Sequence, residues 1–192
     1  NELDHEITLT AVAPNAGSYN LSGMMTELLL NDDQEYPDPA YILFFISAYQ
    51  DIYDLETYSG PILKPEFESL KTMLNGEHDL NSINDLLSLI PSELFTDTFL
   101  SSFRAGRQTY LMDVITQNNV YEWVPSMPMQ LCHSAADRVV PLKNSQLAIH
   151  YFQENGASQV TLVDPYPGAT HDYGHIPCQF QTKLWFDSLV IK

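Results

Sequence analysis

Cysteine is scarce: the 192 residues hold two, Cys132 and Cys178. Two thiols form at most one bridge, which excludes a disulfide-stapled scaffold and leaves the redox compartment open. Each reads as a small buried hydrophobe, with a bridge between them also allowed. Basic side chains are nearly as rare. Eight Lys and Arg against 25 Asp and Glu leave a formal charge of −17. Such a surface repels phosphate backbones and anionic headgroups, so neither nucleic acid nor basic-patch membrane docking is expected. Long apolar runs are missing as well. The longest, Ala40 to Tyr49 (AYILFFISAY), contains a serine and is too short to cross a bilayer, so no transmembrane segment is expected. The opening NELDHEITLT has no initiator Met, no basic stretch and no apolar signal core. The first residue is therefore expected to lie inside a longer gene product. No fixed-period repeat and no low-complexity tract interrupt the chain.

What is present fits a globular protein with a real core: 44% of residues are apolar and 17% charged. Residues 6 to 13 (EITLTAVA) carry β-branched Ile7, Thr8, Thr10 and Val12 and predict a strand, ended by the turn formers of PNAGSYN. From Ser22 to Val124 the texture is helical, in segments parted by Pro, Gly and Asn. They are predicted at 24–30, 39–53, 65–74, 82–90 (capped by Asn81 or Ser82), 96–103 and 108–117. The texture then returns to α/β. A short apolar strand lies within MPMQLCH (127–133), a helix over 142–153 ends at Asn155-Gly156, and QVTLV (159–163) predicts another strand. A loop over 164–177 leads to a closing helix, 178–191, with Phe180, Leu184, Trp185 and Leu189 on one side. The order is that of an α/β fold with a large helical insertion.

Two residues in this frame suggest chemistry. In open α/β sheets, functional side chains sit beyond the carboxyl ends of strands. Asp137 follows His133 by four residues, and His171 follows Val163 by eight. A carboxylate and an imidazole brought together there make an oriented general base. His133, at a strand end, reads as structural. His171 and His175 have the spacing of a helical metal pair, but Gly174 and Pro177 argue against a helix, and no third ligand is evident; neither metal nor cofactor is expected. The apolar helix around Tyr41 to Tyr49 either packs on both sides or lines an acyl pocket through Phe44 and Phe45. Tyr19, just after the first strand, is a further pocket candidate.

The stretch PMQLCHSAADRVVPLKNSQLAIHYFQENGASQVTLVDPYPGATHDYGHIP resembles the C-terminal part of an α/β-hydrolase, in which a pattern like HGxxDxxVP delivers the triad acid and a histidine follows the last strand. EITLTAVAPNAGSYNLSGMM resembles the strand after the nucleophile helix in secretory-lipase-like and bacterial serine esterases. The resemblance implies a partial α/β-hydrolase fold: the last three parallel strands with flanking helices, and a helical cap inserted after the first strand. Core would occupy 1–21 and 125–192, cap 22–124. Asp137 would be the acid and His171 the base. His171 is preferred over His175, which abuts Ile176-Pro177. Ser134 departs from the family's glycine after the histidine, which bears on the turn.

The implied activity is hydrolysis of small apolar carboxylic esters by a serine. Yet no G-x-S-x-G nucleophile segment occurs in the chain. On the resemblance the nucleophile lies before Asn1, NELDH is the tail of its helix, and the chain alone is inactive. A first strand with an unpaired interior edge would need cover, from the missing N-terminal half or a second copy. Acidity and the resemblance lean towards a secreted or periplasmic location. Two other readings stay open: a prolyl-oligopeptidase-like peptidase, against which the long insertion counts, and a non-catalytic remnant that binds apolar ligands.

Overall fold

A computed structural model describes residues 8–190. They fall into two compact units, Leu21–Asn118 and a second formed by 8–20 with 119–190. The expected start of the first strand and the NELDH tail lie outside the described residues.

Leu21–Asn118 is helical. After a π-helical turn over Leu21–Met25 come α1 (Thr26–Leu29), α2 (Ala40–Tyr53), α3 (Leu55–Ser59), α4 (Pro65–Glu68), α5 (Leu80–Asn84), α6 (Asp97–Arg104) and α7 (Thr109–Gln117). Local chemistry explains several ends. Thr96 caps α6 by accepting the Phe99 N–H at 3.2 Å. Asp79, rather than Asn81 or Ser82, caps α5 by accepting the Ser82 N–H at 3.0 Å, because a carboxylate one residue earlier fits the orphan donors. That helix also stops at Asn84, short of its expected end. The helix predicted over 65–74 tightens into a 3₁₀ turn at Ser69–Met73. Its apolar centre comes from α2 (Ala40, Ile42, Leu43, Ile46) with Leu55, Ile83, Leu94, Leu111 and Val114, all buried. The helix α2 buries one flank only: Phe44 is 42% exposed, and Phe45 stacks on Tyr49.

The second unit is α/β. β1 (Met129–Cys132) and β2 (Val160–Val163) pair in parallel, Met129 opposite Val160 and Cys132 opposite Val163, with α8 (Lys143–Glu154) between them in sequence. Gly156, at φ +98°, makes the turn from α8 to β2 that a side chain would resist. β1 is buried along its whole length, as expected of a strand covered on both faces. On its other side runs the N-terminal segment, bonded through Gln130 N–H to Val12 O (3.0 Å), Cys132 N–H to Pro14 O (3.0 Å) and Ala16 N–H to Cys132 O (2.9 Å). The pairing thus lies over 12–16, later than the strand predicted at 6–13. Pro14, lacking an N–H, still accepts as an edge residue, and the left-handed Ala16 (φ 44°) ends the run. Tyr19, Met129, Leu131, Ala148, Phe152 and Val160 form the core. The Tyr19 ring presses so closely on Gly17 that a Cβ there would lie 3.0 Å from it.

The largest departure from expectation is the last helix. α9 spans His171–Val190, running through Gly174 and Pro177 where a loop was predicted. Tertiary contacts override the poor helix propensity of those residues. Gly174 is buried beside Ser134, and Cys178 is bonded to Cys132. Phe180 and Leu184, expected on a packing face, are instead 65% and 49% exposed.

Candidate active site

Both loops leaving the carboxyl ends of β1 and β2 converge at one end of the α/β unit. After β1, a turn closes with the Asp137 N–H on Ser134 O (3.3 Å). It buries the Asp137 side chain almost completely. Its Oδ1 accepts the N–H groups of Val139 (2.9 Å) and Val140 (2.8 Å), and its Oδ2 accepts His171 Nδ1–H at 2.7 Å across 34 residues. The carboxylate therefore has a fixed orientation before any substrate arrives.

Tautomers follow from the partners. An ionised carboxylate accepts only, so His171 carries its proton on Nδ1 and Nε2 is the basic nitrogen. His133 is fully buried. Its Nε2 lies 2.7 Å from Val140 O and 3.2 Å from Asp137 Oδ2, both acceptors, so the proton sits on Nε2 and Nδ1 accepts from the Ser145 hydroxyl at 2.7 Å. Burial works to raise the Asp137 carboxyl. The imidazoles of His133 and His171 and the Val140 N–H more than offset it and hold the group well below the usual carboxylate range.

Ser134 and Asp164 lock the two loops together. The Ser134 hydroxyl lies 2.6 Å from Ala169 O and 3.1 Å from Tyr166 O, and Asp164 Oδ2 accepts the Ala135 N–H at 2.9 Å. In the sequence, Ser134 shows only as a departure from glycine. The signal there is a hydroxyl at a strand end, a donor within reach of the carbonyls of a neighbouring loop. Asn144 was also missed: fully buried at the start of α8, it accepts the Asn20 N–H at 3.0 Å and so ties the first segment to that helix.

A cavity opens beside the pair, lined by Asn15, Ala16, Ser134, Thr170, His171 and His175 among others. Helical spacing explains the line-up: positions 171, 174, 175 and 178 share one face of α9. His175 is not the histidine on Asp137; its Nδ1 contacts Asp172 O. Because 171–175 is helical, the ground for dismissing a metal pair there fails. Among the described residues, however, no three His, Cys, Asp or Glu side chains gather to hold an ion. Of the pocket candidates, Tyr19 is packed in the core, and burial pushes its phenol up to about 12. Phe44 and Phe45 belong to the helical unit.

No protein-family model matches the chain, and no curated protein matches it in sequence. Solved structures do. The rice cell wall degrading esterase LipA from Xanthomonas oryzae superposes with a TM-score of 0.72 at 27% identity, over 98% of this chain and 50% of its own. A Legionella pneumophila protein designated a hydrolase gives 0.80 at 20% identity, over 95% and 49%. Candida antarctica lipase A in its closed state gives 0.67 at 17%, over 96% and 44%. The chain thus has an α/β, hydrolase-like fold and spans about half the length of the structures it matches.

Proposed function

We propose that this chain carries the acid and base of a serine-type carboxylic ester hydrolase, with Asp137 as acid, His171 as base and the nucleophile supplied by residues other than these 192. The observation that carries the reading is the 2.7 Å bond from His171 Nδ1 to a buried, pre-oriented carboxylate. In the reaction, the serine hydroxyl attacks the ester carbonyl while His171 Nε2 takes its proton. The imidazolium, stabilised by Asp137, returns that proton to the departing alcohol, and water then cleaves the acyl-enzyme by the same route.

Three facts support a nucleophile from elsewhere. The chain contains no G-x-S-x-G. It matches 50% of the esterase and 44% of the lipase reported above. Apolar side chains of α9 stand in solvent, and among the described residues no strand pairs with the outer side of 12–16; both surfaces call for cover. Residues 22–124 are assigned the role of a helical cap, with Phe44 and Phe45 as its candidate pocket residues. The substrate is a small apolar ester.

The test is hydrolysis of short p-nitrophenyl esters by the 192-residue chain and by the chain joined to its upstream coding sequence. The short chain is expected to be inert. The long one is expected to turn over, and to lose that activity in His171→Ala. Turnover indifferent to His171, or none at all from the long form, would retire the proposal in favour of a non-catalytic ligand-binding protein.

A further inference from the structure

We infer that the Cys132–Cys178 bridge is a positioning element for the candidate base His171, an inference that rests on the acid–base reading above. Cys132 is the last residue of β1 and directly precedes His133 and the turn that presents Asp137. Cys178 lies two helical turns beyond His171 on α9. The bridge therefore joins the strand that delivers the acid to the helix that delivers the base.

The start of α9 is intrinsically a weak helix. Gly174 and Pro177 are the poorest helix formers, and the proline deletes an intrahelical hydrogen bond. Tyr173, Ile176 and Phe180 face solvent rather than a core. The face bearing His171, Gly174 and Cys178 is the one that docks. It does so through the Asp137 bond, the packing of Gly174 beside Ser134, the contact of Gln181 with Gln130 and the covalent link. Of these only the disulfide is independent of the geometry it fixes. It is a permanent brace rather than a redox switch, since both cysteines are buried from an attacking thiolate.

The test is imidazole NMR on the ¹⁵N-labelled chain joined to its upstream coding sequence, at about pH 8, above the ordinary histidine pKa. The unmodified chain is expected to show a His171 Nδ1–H resonance protected from exchange. Cys132→Ala/Cys178→Ala is expected to lose that resonance while β1, β2 and α8 keep their backbone shifts. Its retention in the double variant overturns the brace and leaves the acid–base reading standing; its absence from the unmodified chain overturns both. Should the double variant fail to fold, native-state hydrogen exchange on the unmodified chain decides. The brace predicts that amides of Gly174, His175, Ile176 and Cys178 exchange as slowly as those of Leu131 and Cys132, and more slowly than 182–190. Exchange as fast as 182–190 refutes it.

Discussion

Asp137→Asn probes the buried network with the fewest changes in shape. Its Oδ1 equivalent can still accept from Val139 and Val140. The amide nitrogen, though, would face His171 Nδ1 at 2.7 Å and His133 Nε2 at 3.2 Å, so two charge-assisted contacts become donor against donor. Each such bond contributes about 1.5–3 kcal/mol. His171 can shift its proton to Nε2 and recover part of the loss. His133 cannot, because Val140 O accepts only. The net cost at neutral pH should be about 3 kcal/mol. Both tryptophans, Trp123 and Trp185, lie in the α/β unit, so their fluorescence follows its unfolding by urea. With a slope of about 2 kcal/mol/M, the midpoint should fall by about 1.5 M. The gap should also depend on pH. The folded carboxyl lies below its ordinary 3.8, so its contribution is fully present above that value. It fades as pH falls from about 4 towards the folded value. Wild type and variant should therefore converge in acid. A neutral-pH shift under about 0.3 M, or a gap that widens in acid, would refute the reasoning.

Further outcomes follow from the same contacts. Ser134→Ala removes the hydroxyl that ties both loops and should cost about 1–2 kcal/mol by the same fluorescence assay, with faster amide exchange over 166–171. Cys132→Ala/Cys178→Ala opens a link spanning 46 residues and should lower stability by about 4 kcal/mol. Ala16→Gly should raise it by about 1 kcal/mol, since Ala16 sits at φ 44° in the left-handed region.

Much of the α/β unit could be read beforehand because its signals are local. The β-branched QVTLV, the Asn155-Gly156 stop and the bounded apolar MPMQLCH each mark an element without help from elsewhere. Asp137 and His171 were placed by their distance past strand ends, and they do meet in space. What escaped depends on partners remote in sequence. The helix through Pro177 exists because of Cys132 and Ser134, some 40 residues away, so local propensity pointed to a loop. Whether the two cysteines join was open for the same reason. The first segment pairs over 12–16 and not earlier because β1 sets the register. Ser134 looked like a flawed glycine, since its acceptors, Ala169 O and Tyr166 O, are visible only once the loops converge.

The most direct trial of the central claim is labelling by a fluorophosphonate, which forms a covalent bond only with an activated serine. The chain joined to its upstream half should take up one label, on a serine outside these 192 residues, and His171→Ala should abolish the uptake. Labelling that survives the loss of His171, or falls on a serine within the 192 residues, would contradict it.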